Sequence, residues 1–379
     1  MVKENHFNIF ISAAEVSADA HAARLIDELR RQIPQIRCSG LGGHAMADAS
    51  CQLLDNLVDR SAMLTHAFKQ VGFYFRLLRR VKQHFIENPP DLVVVVDSPA
   101  WNFHVAKAAR QLNIPVLYYI APQLWAWGAW RINKLKRSAT RLACILPFEK
   151  QWFSERGLNA DYVGHPLFDD EQSIDPGDLY VRENSRFPTV ALLAGSRSHE
   201  IKKLWLPMQH IAQKIQQKYP DARFVSAYHS AANEKLLRQN SLPQLQIELK
   251  KTSIEAVTRH ADLTFVASGT ATLEVAAQHC PMIIMYHVPP LQWHLIGKWI
   301  VKTRYLSLVN ILAGRELVPE FMPFYNHTAA ITKTALDLLD DQPKRQQMRT
   351  DLKNLIAPIT KPGCAKNVCK IINQMLPRY

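Results

Sequence analysis

The chain has 379 residues, 47% of them hydrophobic, with 46 Lys and Arg against 33 Asp and Glu for a formal net charge of +13. At roughly 100–200 residues per domain, that length predicts two domains, each able to bury its own core. No apolar run nears the roughly 20 residues of a spanning helix, the opening MVKENHFNIFISAAEVSADA lacks the features of a secretion signal, and the six cysteines (Cys38, Cys51, Cys144, Cys280, Cys364, Cys369) form neither a CxxC pair nor a zinc spacing.

The expectations are therefore a cytoplasmic protein with reduced thiols, no metal site and no membrane span. The basic balance asks for an acidic partner: nucleic acid, an anionic lipid surface or a phosphorylated small molecule.

In chain order, Asn8–Ala14 reads as a strand and Ala20–Gln32 as the helix after it. Asp91–Asp97 (DLVVVVD) is a β-branched run suited to a strand buried on both faces. Helix Val105–Leu112, strand Pro115–Ala121, basic helix Arg131–Ser138 and strand Arg141–Pro147 follow. Periodicity then stops between Pro166 and Pro188, an acidic stretch read as a linker. A second series comprises strand Thr189–Leu193, helix Glu200–Tyr219, strand Arg223–Tyr228, helix Ile254–His260, strand Leu263–Ala267, helix Thr272–Gln278 and strand Pro281–Tyr286. Amphipathic patterns near Gln342–Leu355 and Lys366–Leu376 close the chain. Strands alternating with helices imply βαβ units, hence an α/β protein of two doubly wound Rossmann-like domains. The divisions are 1–165, a linker 166–188, 189–340, and C-terminal helices 341–379 that can fold back on the N-terminal domain.

Such domains bind ligands at the carboxyl ends of their strands, and six segments stand out. Ser12–Asp19 leads from a strand into a helix whose N-terminus suits a hydroxyl-rich or anionic ligand, with Glu15, Ser17 and Asp19 beside it; ordinary capping by Ser17 or Asp19 explains the same segment. Asp97 directly follows a buried strand and can act as a general base, with Asn102 one turn on; Asp also commonly starts a loop. Gln123, Trp125, Trp127 and Trp130 offer aromatic faces to sugars or acyl chains, or simply pack. Gly195, Ser196, Arg197 and Glu200 open a helix with the close approach and fork geometry a diphosphate needs. Ser268, Gly269, Thr270 and Glu274 form a second such unit, with the glutamate placed for ribose hydroxyls or merely for the helix dipole. Ser61–Phe85 interleaves Met63, Leu64, Phe68 and Phe73 with Arg76, Arg79 and Arg80, which reads as a membrane-surface helix or as a core helix with a basic edge. No groove-reading or base-stacking pattern for nucleic acid is found.

These segments match a known family in order. AEVSADAH, LGGHAM, DSPAWNF, YYIAPQLWAWGAWRINKLK, LPFEKQWF, YVGHPL, AGSRSHEI, SGTATLE, CPMIIMY and VKTRYLSLVNILAGRELVPEFM resemble the lipid-A-disaccharide synthases over most of the chain. The resemblance implies a GT-B glycosyltransferase whose domains face a cleft, the first taking the acceptor and the second a UDP-sugar. The implied substrates are UDP-2,3-diacylglucosamine and 2,3-diacylglucosamine 1-phosphate, joined β-1,6 with inversion and release of UDP. No cofactor or metal is implied. Asp97 matches the essential acid, Arg197 the arginine of GSR and Glu274 the ribose-binding acid; Asn310 and Glu316 lie in the segment beside the nucleotide. Peripheral attachment to the cytoplasmic face of the inner membrane follows, and exchange of a C-terminal helix between two copies is compatible with the family. The chain departs from the family pattern at Ala18, Ala100, Ala194, Val309 and Met322. Its rivals are a related GT-B transferase with a different lipid acceptor and a non-catalytic homologue that binds a UDP-sugar.

Overall fold

The structure is a computed structural model, which describes residues 6–63, 67–169, 187–288, 303–323, 325 and 327–376, the side chains of 61–71 excepted. The chain divides into two compact units, Met1–Glu171 with Lys361–Tyr379, and Gln172–Thr360.

The first unit is built on β1 (Phe7–Ala13), α1 (Val16–Gln32), β2 (Ile36–Gly42), α2 (His44–Asp48), β3 (Gln52–Asn56), α3 (Leu57–Met63), α4 (Ala67–Glu87), β4 (Leu92–Val96) and α5 (Pro99–Gln111). Then come β5 (Val116–Tyr119), α6 (Ile132–Ser138), β6 (Arg141–Cys144), α7 (Pro147–Ser154) and β7 (Ala160–Tyr162). The strands form one sheet in the order β3-β2-β1-β4-β5-β6-β7, and each neighbouring pair is parallel. Successive strand residues point to opposite faces, so the continuous apolar runs feed two cores. Ile9, Ile11, Leu92, Val94 and Val96 meet α1, whereas Phe10, Val93 and Val95 meet α4 and α5.

The second unit holds β8 (Thr189–Leu193), α8 (Ser198–Lys218), β9 (Arg223–Tyr228), α9 (Ala231–Gln239), β10 (Glu248–Lys251), α10 (Ile254–Thr258), β11 (Leu263–Ala267), α11 (Ala271–Ala277) and β12 (Met282–Met285). It is completed by α12 (Leu308–Ala313), β13 (Glu320–Phe321), α13 (Ala329–Asp340) and α14 (Gln342–Ile356). Its parallel sheet runs β10-β9-β8-β11-β12-β13.

The last helix, α15 (Cys364–Met375), belongs to the first unit and buries Val368, Cys369 and Ile372 beside α1. Its N-terminus is capped from a distance: the Asp169 carboxylate accepts from the amides of Gly363 and Ala365 at 2.8 and 2.7 Å, and also from Cys364. A carboxylate there satisfies donors the helix leaves open and complements its dipole. Pro166–Phe168, within the stretch read as linker, is a 3-10 turn of this unit. All six cysteines are buried free thiols. No helix among the described residues is long and apolar enough to cross a membrane.

Candidate functional site

In the first sheet β1 and β4 are neighbours, yet the helices that follow them lie on opposite faces. A crevice opens where connections part in this way, and the expected segments sit there: Glu15 leaves β1 and Asp97 leaves β4. Asp97 and Ser98 take φ of +49° and +44°. Two consecutive non-glycine residues in that region cost on the order of 1–3 kcal/mol each and persist only when surroundings hold them. Those surroundings are visible. The Asp97 amide donates to Tyr119 O at 2.9 Å, and its carbonyl accepts from Asn102 Nδ2 at 2.8 Å and from the Tyr118 hydroxyl at 3.0 Å. Asn102 Nδ2 also reaches Val96 O at 2.9 Å. Ser12 Oγ donates to Asn102 Oδ1 at 2.8 Å and accepts from Trp101 Nε1 at 3.3 Å.

This places Asn102 as a fully buried brace of the turn and corrects its reading as an acceptor ligand, since no surface of it remains for one. The half-buried Asp97 carboxyl is lifted above the usual range, chiefly by burial and further by the Glu15 charge, against the pull of the Ser98 amide. Glu15 is exposed, and its Oε1 accepts from Ser98 Oγ at 3.3 Å. Ser17 is exposed in the first turn of α1. Asp19 is not at the site. Its buried carboxylate accepts from the amides of Gly43, Ala45 and Met46 at 2.6, 3.0 and 3.3 Å, which fixes the GGHAM turn. A Cβ on Gly42 or Gly43 would fall within 3 Å of that carboxylate, which accounts for both glycines. Ala18 is an ordinary buried helical residue of α1 and has no positive φ.

The tryptophan segment after β5 divides its duties. Trp125 is buried, its Nε1 donates to Glu149 Oε1 at 2.9 Å, and its ring meets Phe148 edge-on at 4.9 Å. The expectation that Trp125 contacts an acceptor is therefore corrected: it anchors its loop to α7. Glu149 is wholly buried and takes the amides of Ile145 and Leu146 on Oε2 at 3.1 and 3.0 Å; burial pushes its carboxyl up to about 7. Gln123 is exposed. Trp127 and the 80% exposed Trp130 flank the Arg131 guanidinium, whose carbon lies 4.5 and 5.2 Å from their ring centres. Cation–π contacts of this kind preset an arginine.

The second unit repeats the arrangement at its own reversal of strand order, between β8 and β11. Gly195 has φ +103°, and a Cβ there would stand 2.3 Å from Glu200 Oε2. Only glycine allows this approach. Glu200 is buried and turned inward, accepting from the Arg197 amide and Nη1, both at 3.3 Å. It thus caps α8 and steadies Arg197, a correction to its reading as a direct ligand. Ser196 and Arg197 are exposed ahead of α8. Gly269 (φ +148°) and Thr270 are exposed and Ser268 half-buried ahead of α11, where Thr272 Oγ1 donates to Gly269 O at 2.7 Å. No described residue bonds the Glu274 carboxylate, which burial and then Glu255 lift above the usual range.

Asn310 departs from expectation. It is wholly buried in α12 and accepts from Leu317 and Val318 amides at 2.8 and 3.0 Å, while Nδ2 donates to Val318 O and to Glu320 Oε2, both at 2.9 Å. Glu320, absent from the expected site, also takes Leu306 N at 2.9 Å and Ser307 Oγ at 2.6 Å. Asn310 therefore folds the segment 306–320 rather than touching a ligand, while Glu316 stands exposed on it. Among the described residues no group of three or more His, Cys, Asp or Glu is placed to hold a metal ion.

On α4, Phe73 packs partly inward against the core and Tyr74, and the exposed Arg80 pairs with the buried Asp55 at 2.6 Å. Arg76, Arg79, Lys82, Phe75 (69% exposed) and Ile86 form its open face. Leu64 and the side chains of Met63 and Phe68 lie outside the described residues.

A family model described as lipid-A-disaccharide synthetase matches residues 9–370. Relatives named lipid-A-disaccharide synthase include one from Geobacter sulfurreducens, 30% identical over 387 residues and covering 99% of each chain. Another, from Anaeromyxobacter sp. (strain K), is 33% identical over 371 residues and covers 96% of each. Solved structures of like fold include a Neisseria meningitidis UDP-GlcNAc 2-epimerase bound to UDP-GlcNAc, at TM-score 0.65 and 13% identity, covering 98% of this chain and 100% of that one. The glycosyltransferase CalG4 aligns at TM-score 0.61 and 15% identity, covering 98% of each chain. The chain belongs to the lipid-A-disaccharide synthetase family and is a GT-B glycosyltransferase, a hexosyltransferase of lipid A biosynthesis.

Proposed function

We propose, from membership of this family, that the chain condenses UDP-2,3-diacylglucosamine with 2,3-diacylglucosamine 1-phosphate to a β-1,6-linked disaccharide and UDP. The observation that carries the reading is Asp97: a carboxyl raised by burial, on a strained turn at the switch point of the first sheet. A carboxylate of raised pKa is a better proton acceptor. Asp97 takes the proton of the acceptor 6-hydroxyl as its oxygen bonds to the donor anomeric carbon. The bond from that carbon to the diphosphate oxygen breaks, UDP departs with the electron pair, and attack from the opposite face inverts the centre.

Gly195, Ser196, Arg197, Ser268, Gly269 and Thr270 supply backbone and side-chain donors for the diphosphate, and Glu274 is the acceptor for ribose hydroxyls. Glu316 borders the nucleotide. Glu15, Ser17 and Gln123 border the acceptor sugar, and Arg131, preset between two indoles, suits its phosphate. The open face of α4 and the net charge of +13 suit the anionic cytoplasmic surface of the inner membrane. A homodimer formed by exchange of α15 belongs to the same reading.

The test is turnover in mixed detergent micelles with both substrates, following UDP and disaccharide together, in the wild type and in Asp97→Asn. The wild type makes both products, and the variant loses turnover while still binding UDP. Retained turnover would remove Asp97 from the base role.

A further inference from the structure

Between α4 and α5 lies a cavity of about 340 Å³, lined among the described residues by Tyr74, Phe75, Leu78, Ala100, Trp101 and His104. Its walls are apolar or aromatic apart from His104. That imidazole has its pKa pushed down by burial and by Lys134 and Lys107, which disfavours its charged form. The lining is tied to the catalytic turn by shared residues. Ala100 follows Asp97 by three positions in the chain, and the Trp101 indole donates to Ser12 Oγ at 3.3 Å, inside the network that braces that turn. Tyr74 and Trp101 meet with ring centres 5.3 Å apart, which joins the α4 wall to the α5 wall. At the rim stand Ala100 and the 69% exposed Phe75, with the exposed Arg76 and Arg79 beside it on α4.

We propose that this cavity is the measuring pocket for one acyl chain of the acceptor sugar, so that Leu78 and its neighbours set the chain length handled best. The inference rests on the reading of a diacylated acceptor at Asp97. Water gains little in an apolar space, and an apolar cavity of about 150 Å³ admits a benzene, so this one admits on the order of a dozen chain carbons. Each methylene drawn from water into such a pocket is worth about fourfold in binding. A chain that enters beside Phe75 and lies against Leu78 and Trp101 brings its sugar to the turn that carries Asp97.

The test uses the full-length protein and a series of 2,3-diacylglucosamine 1-phosphates from butyryl to myristoyl, with kcat/KM measured for the wild type, Leu78→Phe and Leu78→Ala. In the wild type the value climbs about fourfold per methylene and then levels. Leu78→Phe, by displacing about two methylenes, loses about fifteenfold on myristoyl and less than twofold on butyryl substrate. Leu78→Ala moves the optimum to longer chains. These opposite shifts distinguish a pocket from a folding defect, which lowers every substrate alike. Equal losses at all lengths, or an unmoved profile in both variants, would overturn the pocket and leave the reaction standing. Absence of disaccharide from every acceptor in the wild type would overturn the reaction itself, and the pocket with it.

Discussion

Glu149→Gln separates two forces that oppose each other at one buried carboxyl. The side chain accepts three N–H groups, from Trp125 Nε1 at 2.9 Å and from Ile145 and Leu146 at 3.1 and 3.0 Å, and has no exposed surface. A glutamine can turn its oxygen to the two amides, but its NH2 then faces the Trp125 indole N–H. One indole donor and one amide group are left unpaired, each costing about 1–3 kcal/mol. The expected loss is about 2–6 kcal/mol, which lowers Tm by roughly 5–20 °C in a unit of this size. Thermal unfolding followed by circular dichroism reads it. Trp125→Phe removes the opposed donor, so the double variant should be less damaged than the sum of the singles by at least ~1 kcal/mol.

The same residue gives a pH signature. Burial raises the Glu149 pKa from 4.5 to about 7, so the folded state holds the proton more tightly than the unfolded chain. Its stabilising contribution is complete below pH 4.5 and is lost as pH rises through about 7. At about 1.4 kcal/mol per pKa unit, the span is on the order of 3 kcal/mol. Glutamine does not ionise, so the deficit of the variant is largest near pH 5 and narrows by about pH 8. A variant that melts with the wild type, or a deficit that stays constant across this range, would refute the reasoning.

Gly195→Ala is expected to weaken UDP binding at least tenfold by calorimetric titration and to destabilise the second unit by about 2–3 kcal/mol. The new Cβ would stand 2.3 Å from Glu200 Oε2 at φ +103°, and would push that carboxylate off the Arg197 amide. Glu15→Gln removes the negative charge that helps raise the Asp97 pKa. Because the base must be ionised to act, the acid limb of the pH profile of kcat/KM should move to lower pH.

The strands were legible where each is a short apolar run bounded by its loop, as in LVVVV and TVALL. They were least legible where burial is one-sided or slight. β2 and β3 (IRCSGLG, QLLDN) mix glycine and charge with apolar residues, and β10 (ELKK) is a largely exposed edge. The site residues were legible by position at strand ends, but their roles were not. Asp19, Asn102, Glu149, Glu200 and Asn310 are polar residues whose partners include backbone groups fixed only by the fold, 27 positions away for Asp19 and Met46 and 90 for Asn102 and Ser12. Nothing local distinguishes a carboxylate that caps a turn from one that waits for a ligand. The signal lies in counting donors: Gly43, Ala45 and Met46 start a helix with no serine or threonine cap of their own, and some acceptor must serve them.

The bracing residues explain how a rigid scaffold holds the half-buried Asp97 carboxyl at a strand end. A carboxylate at a strand end would ordinarily follow the chain into the relaxed loop that costs least. Here Asp97 and Ser98 are both held at positive φ by Asn102, Tyr118 and Tyr119, whose own positions are set by the buried helix α5 and strand β5. The strain of the turn is thus balanced by hydrogen bonds that no ligand can displace, since Asn102 and Tyr118 are fully enclosed. The backbone that carries the carboxyl is therefore fixed before any substrate arrives, and burial raises the pKa of the carboxyl. Beside this turn Glu15 and Gln123 are exposed, and Glu15 accepts from Ser98 Oγ at 3.3 Å, so the negative charge that lifts Asp97 further is itself tied to the braced turn.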